Sequence, residues 1–186
     1  MRNRFWRTFA ICMPLLMAMG PVSAQTVDEN TAWNGGTIST VGSTQSDFYA
    51  QSFIAGVQEI RRFGVVVGES SPEGEVRLAI AEDDSTGRPN VAAPLYTGAM
   101  INPTPTSAWF YETDVRIRVT PGKKYYILID GYQNPGATGN ARVGRSNTYT
   151  SSGERMIYTN DHGTTWGLVA DPIAIYVEGF AAIDVV

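Results

Sequence analysis

The chain has 186 residues, with 14 Lys and Arg against 18 Asp and Glu, a formal net charge of −4. This acidic balance disfavours binding to nucleic acids and to anionic membranes. After residue 24, no segment reaches the roughly 18 consecutive apolar residues that a transmembrane helix needs, so no such helix is predicted.

Residues 1–24 have the layout of a secretory signal peptide. Arginines precede the apolar run TFAICMPLLMAMG, and Val22-Ser23-Ala24 forms a small-x-small cleavage site before Gln25. A lipoprotein signal would place its cysteine just after the apolar run, which Cys12 does not, so no lipid anchor is expected. Cleavage leaves 162 residues with 11 basic side chains against 18 acidic ones and no Cys. We therefore expect an exported bacterial protein, secreted or periplasmic, that folds by core burial without disulfides.

Strand patterns separated by turn sequences fill most of the mature chain. Strict alternation of apolar and polar residues is typical of half-buried strands, and arginines at the alternate positions place one face in water, as antiparallel sheets allow. The intervening segments are rich in Gly, Pro, Asn and Asp, which favour turns. A short helix is an alternative only within 87–95. The clearest strand patterns are FGVVVG (63–68), VRLAIA (76–81), VRIRV (115–119), YYILID (125–130) and IAIYVEGF (173–180).

These patterns predict an all-β fold, an antiparallel β-sandwich of jelly-roll-like form. The predicted organisation is a signal peptide at 1–24, a polar segment at 25–46 and a single β-sandwich domain at 47–186. The polar segment is either a flexible leader or a first edge strand, because Trp33 and Ile38 need apolar surroundings.

The chain also resembles secreted bacterial jelly-roll modules of the carbohydrate-binding-module-like kind over about residues 47–180. The resemblance implies a β-sandwich that binds a glycan, and such modules often carry a structural calcium ion. Four stretches carry it: YAQSFIAGVQEIRRFGVVVG (49–68), VRLAIAEDDSTGRPNVAAPLY (76–96), WFYETDVRIRVTPGKKYYILI (109–129) and GTTWGLVADPIAIYVEGF (163–180).

The stretch YTNDHGTTWGLV (158–169) places the single His beside an Asp and near a Trp. A Ser–His–Asp triad needs the His between the other two residues, whereas neighbours such as Asp161 and His162 point to opposite sides. No G-x-S-x-G elbow is present. A glycosidase needs two carboxylates at a defined separation, and no acidic pair forms a recognisable pocket pattern. The sequence therefore predicts no catalytic residue, and a hairpin loop at Asn160-Asp161-His162-Gly163.

Metal ligands are also sparse. One His and no Cys in the mature chain do not supply a zinc site. Asp83-Asp84 and Asn160-Asp161 offer oxygen ligands, but neither forms the spaced loop of an EF-hand. No cofactor is predicted, and a structural calcium ion stays an alternative whose ligands the sequence does not place.

Aromatic and amide residues in polar loops form the predicted ligand-binding group. Sugars stack on aromatic rings while nearby amide, carboxylate and guanidinium groups bind their hydroxyls. The loop 131–152 is the predicted binding edge, since loops carry function on sandwich scaffolds. Trp109 is predicted to be a core aromatic between the sheets, and the same interpretation is favoured for Trp166 over that of an exposed binding ring. The candidates are Trp33, Tyr132, Asn134, Arg145, Asn147, Tyr149, Tyr158 and Trp166.

The sequence thus predicts a secreted, non-enzymatic binding domain whose partner is a glycan. The alternative is a structural or protein-interaction subunit of the cell envelope or extracellular matrix, adhesin-like in role. The first hypothesis predicts an exposed aromatic row flanked by polar groups. The second predicts an exposed apolar patch or an unpaired edge strand. An enzyme ranks third, because it requires carboxylates that converge in a cleft.

Overall fold

The computed structural model describes residues 25–30, 33–42, 46–70, 74–132, 139–147 and 154–181. Within these ranges the chain forms strands and turns but no helix. The strands are β1 Gln25–Asn30, β2 Trp33–Gly42, β3 Phe48–Ile54, β4 Glu59–Glu69, β5 Val76–Glu82, β6 Tyr96–Ile101, β7 Ala108–Glu112, β8 Ile117–Arg118, β9 Lys124–Asp130, β10 Asn140–Ser146, β11 Met156–Thr159, β12 Gly167–Val169 and β13 Ile175–Phe180.

The strands form two sheets. The larger sheet has the order β1-β13-β4-β10-β2, and β7 and β8 also pair with β4. The smaller sheet has the order β12-β11-β3-β9-β5-β6. Every pairing between these strands is antiparallel.

One hydrophobic core lies between the two sheets. Val76, Leu78 and Ile80 of β5 are fully buried in it, as the alternation of VRLAIA predicts. From the larger sheet, Phe63 and Val65 of β4 join the same cluster. Two sheets that share one core form a β-sandwich. The predicted all-β antiparallel sandwich is confirmed.

The polar segment before residue 46 supplies β1 and β2, which lie at the two ends of the larger sheet's strand order. β1 pairs with β13, and β2 pairs with β10. The segment 87–95, where a short helix was the alternative, consists of turns and irregular chain. Pro89 there forms an isolated bridge with Asp83.

The smaller sheet carries a second apolar layer on its outer face. The layer consists of residues that alternate with the core residues of β3, β5, β9 and β11, and Val91 and Trp166 pack over it. Because several of these residues are small, the loop after β5 and the loop between β11 and β12 can lie close to the sheet. The layer comprises Ala50, Ala79, Ala81, Tyr126, Leu128 and Ile157.

Candidate functional site

The stretch around the single His is a β-hairpin. β11 and β12 pair antiparallel, with Met156 opposite Val169 and Tyr158 opposite Gly167. In the connecting loop, His162 and Gly163 adopt left-handed backbone with φ of 59° and 87°. Asn, Asp, His and Gly tolerate this conformation better than bulkier residues. The predicted hairpin loop is confirmed.

The Asp161 carboxylate organises this loop. It accepts hydrogen bonds from the Thr159 hydroxyl at 2.7 Å, from the Thr165 backbone N–H at 2.8 Å and from the Thr165 hydroxyl at 2.6 Å. These donors, the Thr165 hydroxyl above all, lower the pKa of Asp161 to about 2. Donors that favour the charged form keep the group ionised at neutral pH, so Asp161 is suited to holding the turn and is poorly suited to general-base chemistry.

This arrangement predicts an acid-dependent hairpin. Asp161 has a pKa of about 2 in the folded chain, below its ordinary value of 3.8. The contribution of its carboxylate to stability is therefore complete above the ordinary value and is lost as pH falls through about 2. We expect the amide proton of Thr165, followed by NMR, to shift with a midpoint near that lower value. Asp161→Ala should abolish this titration, and a midpoint at or above 3.8 would contradict the interpretation.

The imidazole of His162 is held by a distant residue, not by its neighbour Asp161. Its Nδ1 lies 3.0 Å from Oδ2 of Asp47, and the same oxygen accepts the His162 backbone N–H at 2.8 Å. The ring stacks on Tyr132 with centroids 3.8 Å apart. The His162 side chain is 57% exposed and Tyr132 is 43% exposed, so the pair forms an accessible aromatic surface at the end of β9.

Trp166 lies beside this pair, on the outer face of the smaller sheet. Its indole N–H donates to the carbonyl of Gly163 at 3.0 Å, and its ring centroid is 6.4 Å from that of Phe48. Phe48 is in turn 6.3 Å from Tyr132. The side chain is half-buried and packs on the outer apolar layer. The favoured prediction that Trp166 is a core aromatic between the sheets is therefore wrong.

A cleft of about 300 Å³ opens along the hairpin. It combines half-buried Trp166 with hydroxyl, amide and carboxylate groups, which is the composition of a site for a polar ligand with an apolar face. Tyr158 also lines the cleft, but its ring packs toward the inter-sheet core beside Tyr49. Its lining residues are Tyr158, Thr159, Asn160, Asp161, Thr165, Trp166 and Gly167.

The predicted ligand-binding residues fall into two groups. Tyr132, Tyr158 and Trp166 lie around the hairpin. The second group lies on paired β2 and β10, where Trp33 is opposite Ser146 and Asn34 donates to the side chain of Asn147 at 2.6 Å. Asn134 and Tyr149 lie outside the described residues.

Arg145 belongs to the second group, and its side chain is ion-paired. Its guanidinium forms an ion pair with Asp171 at 2.8 Å, in which both side chains are 42% exposed. The predicted residues therefore do not form one common site.

One aromatic group was missed by sequence reasoning. Trp109 is half-buried and lies outside the core cluster, so its prediction as a core residue is wrong. In β7, Phe110 lies opposite Val65, which faces the core, whereas Trp109 and Tyr111 point to the outer face of the larger sheet. The signal is the alternation in AWFYE, which places Trp109 and Tyr111 on one face.

The described ranges contain neither a group of side chains suited to a metal ion nor a membrane-spanning helix. No three His, Cys, Asp or Glu side chains there lie close enough together to hold a metal ion. No helix in that part of the chain has the length and hydropathy of a membrane span.

Comparison with known proteins gives remote structural similarity and no sequence match. No family model matches the chain. No curated protein matches it either. Among solved structures, the chain is similar to the cysteine protease and lectin-like domains of Cwp84, a surface layer associated protein of Clostridium difficile, with 10% identity and a TM-score of 0.48. The match covers 73% of this chain and 32% of the other, so this chain spans about a third of that protein's length.

Proposed function

We propose that the chain is an exported, non-enzymatic domain that binds a glycan at the β11–β12 hairpin. The observation that carries this proposal is the composition of the hairpin cleft, whose lining combines half-buried Trp166 with the polar residues Asn160, Asp161 and Thr165. The export signal expected at residues 1–24 would bring the domain into contact with extracellular or envelope glycans.

The cleft offers both kinds of contact that a sugar needs. The indole of Trp166 is anchored by its hydrogen bond to Gly163, so little side-chain entropy is lost when a pyranose ring stacks on it. Asn160 makes no side-chain hydrogen bond to another described residue, which leaves an amide donor and acceptor for sugar hydroxyls. The ionised carboxylate of Asp161 adds further acceptor sites.

The stacked pair of Tyr132 and His162 extends the aromatic surface beyond the cleft. Phe48 packs between this pair and Trp166, with centroids 6.3 Å from Tyr132 and 6.4 Å from Trp166. Phe48 itself is buried, so the accessible rings are the Tyr132–His162 pair on one side and half-buried Trp166 on the other. Two ring surfaces beside polar groups support an oligosaccharide as the ligand over a single sugar.

The test is a glycan array probed with the purified chain that begins at Gln25, with and without calcium. Trp166→Ala is expected to weaken binding to any uncharged glycan that scores by about tenfold or more, because it removes the stacking ring. Tyr132→Ala should weaken the binding of longer oligosaccharides more than that of short ones. Leu168→Ala is the matched control, since Leu168 lies on the same hairpin and is 72% exposed but does not line the cleft.

Two outcomes would contradict the proposal. One is a folded wild-type chain that binds no glycan in either condition. The other is a folded Trp166→Ala variant that retains wild-type affinity. Thermal unfolding of each variant establishes that it is folded.

A structural or protein-interaction role is the second candidate. It is favoured by exposed apolar side chains on and beside β6, an end strand of the smaller sheet, and on β7, which pairs only with β4. Exposed edges and apolar patches are features of interaction surfaces. Pull-down from the cell envelope tests this role if no glycan binds. The side chains are Leu95 (42% exposed), Met100 (39%) and Phe110 (38%).

A further inference from the structure

The outer face of the larger sheet carries an arginine–aromatic cluster, defined here as Arg62, Trp109, Tyr111 and Tyr176. The guanidinium carbon of Arg62 lies 3.9 Å from the ring centroid of Tyr111 and 5.3 Å from that of Tyr176. The rings of Trp109 and Tyr111 are nearly parallel, with centroids 5.6 Å apart and planes 10° apart. Both sandwich faces therefore carry aromatic surfaces, and this one lies opposite the hairpin cleft.

The cluster depends on a glycine in the middle of β4. Gly64 lies directly across from Tyr111 on one side and from Tyr176 on the other. A Cβ at this position would come within 2.5 Å of the Tyr111 ring. The missing side chain lets the two tyrosines approach each other edge to face, with centroids 5.6 Å apart. Arg62, two residues earlier on the same face, then lies against both rings.

Arg62 has no anionic partner among the described residues. Glu178 is its cross-strand neighbour, but the Glu178 carboxylate accepts the hydroxyl of Tyr176 at 2.5 Å. The buried Nε of Arg62 has no hydrogen-bond partner. Stacking on two rings holds the planar guanidinium in one orientation, and its terminal nitrogens have no acceptor in the described part of the chain.

We propose that this cluster is a second binding site, for a carboxylate-bearing sugar such as a uronic acid residue of a polysaccharide. Arg62 would bind the ligand carboxylate through a bidentate, charge-assisted pair of hydrogen bonds, a geometry for which guanidinium groups are suited. The half-buried ring of Trp109 would stack against the sugar ring. The site lies on the other sheet from the hairpin cleft, so it does not depend on glycan binding there.

The overall charge of the chain disfavours non-specific binding of acidic saccharides. The chain carries a formal charge of −4 before any cleavage. A net negative protein repels polyanions at long range, so non-specific attraction would not produce binding. Recognition of an acidic saccharide therefore requires a local arrangement such as Arg62 on its two rings.

The experiment compares two ligands that differ only at the carboxyl group, which is charged in one and a neutral methyl ester in the other. Oligogalacturonate and its fully methyl-esterified form are titrated calorimetrically into the chain that begins at Gln25, with polyglutamate as a polyanion without sugar rings. The proposal expects the acid form to bind about tenfold or more tightly than the ester, because a charge-assisted hydrogen bond is lost in the ester. It also expects no measurable binding of polyglutamate.

Variants assign the contact to Arg62. Arg62→Gln should weaken oligogalacturonate binding about tenfold or more, and Arg62→Lys nearly as much, since lysine keeps the charge but not the planar fork. Trp109→Phe should weaken the binding of both the acid and the ester, because the smaller ring offers less stacking area. Arg116→Gln removes the same charge from an exposed position outside the cluster and should change affinity less than about twofold.

Three results would overturn the proposal: equal affinity for acid and ester, polyglutamate binding as tight as that of the sugar, or unchanged affinity in folded Arg62→Gln. If Arg62→Gln does not fold, the acid–ester comparison on the wild-type chain and the Trp109→Phe variant decide. The hairpin cleft is tested separately, by the binding of uncharged glycans and its loss in Trp166→Ala. Failure here and failure at the hairpin cleft can therefore be told apart.

Discussion

Replacing Phe63 with alanine is expected to lower the free energy of unfolding by about 3–5 kcal/mol, the usual cost of removing a buried phenylalanine ring. Phe63 is fully buried in β4 of the larger sheet. Its ring meets Tyr96 of the smaller sheet edge to face, at 5.7 Å and 88°. The substitution therefore leaves a cavity where the two sheets join. Urea denaturation followed by circular dichroism measures the change.

Phe110→Ala is the control for this cavity. Phe110 lies on neighbouring β7 and is 38% exposed, so its truncation removes a similar ring without leaving an enclosed cavity. Its cost should be roughly 1 kcal/mol. Equal costs for the two variants would show that Phe63 does not occupy a closely packed position between the sheets.

Asp130→Ala is expected to cost about 3 kcal/mol of stability, because it removes the partner of a largely buried charge. The Asp130 side chain is 6% exposed, and its Oδ2 accepts the Nε–H of Arg77 at 2.9 Å. Its Oδ1 accepts the backbone N–H of Tyr132 at 3.0 Å. We therefore expect the same variant to weaken binding of longer oligosaccharides, since Tyr132 would lose the contact that positions its backbone.

The matched control is Asp171→Ala, which breaks the exposed ion pair with Arg145. Exposed pairs contribute little, so the expected cost is below about 1 kcal/mol. Chemical denaturation of both variants gives the comparison. A cost for Asp130→Ala no larger than that for Asp171→Ala would mean that burial adds nothing to the Arg77–Asp130 pair.

Much of the fold could be predicted from the sequence because strand formation has a local signature. The two-residue period of VRLAIA places Val76, Leu78 and Ile80 on one face, and all three are buried. The hairpin at Asn160–Gly163 could also be predicted from the sequence, because left-handed backbone restricts which residues can form such a turn. Both features depend on neighbours within a few positions.

The candidate sites were harder to predict from the sequence. Tyr132, Tyr158 and Trp166 lie around one hairpin, whereas Trp33, Arg145 and Asn147 lie on the other sheet. Loop composition predicts that such residues are accessible and polar in their surroundings, and it carries no information on which loops meet. Strand order and register decide that, and both are set by pairings between distant segments.

The sequence by itself therefore determined the clearest strands, their alternation and the hairpin turn, because these depend on local backbone preference and on a short period of side-chain burial. It did not predict β10 (Asn140–Ser146), which lies inside the segment 131–152 that was predicted to be a loop. Only the tertiary structure decided which face of β7 meets the core, so that Trp109 lies outside it. It also brought Asp47 to His162 across 115 positions and Tyr176 to Arg62 across the β4–β13 pairing. Such contacts arise from packing of the whole sandwich, and no local pattern encodes them.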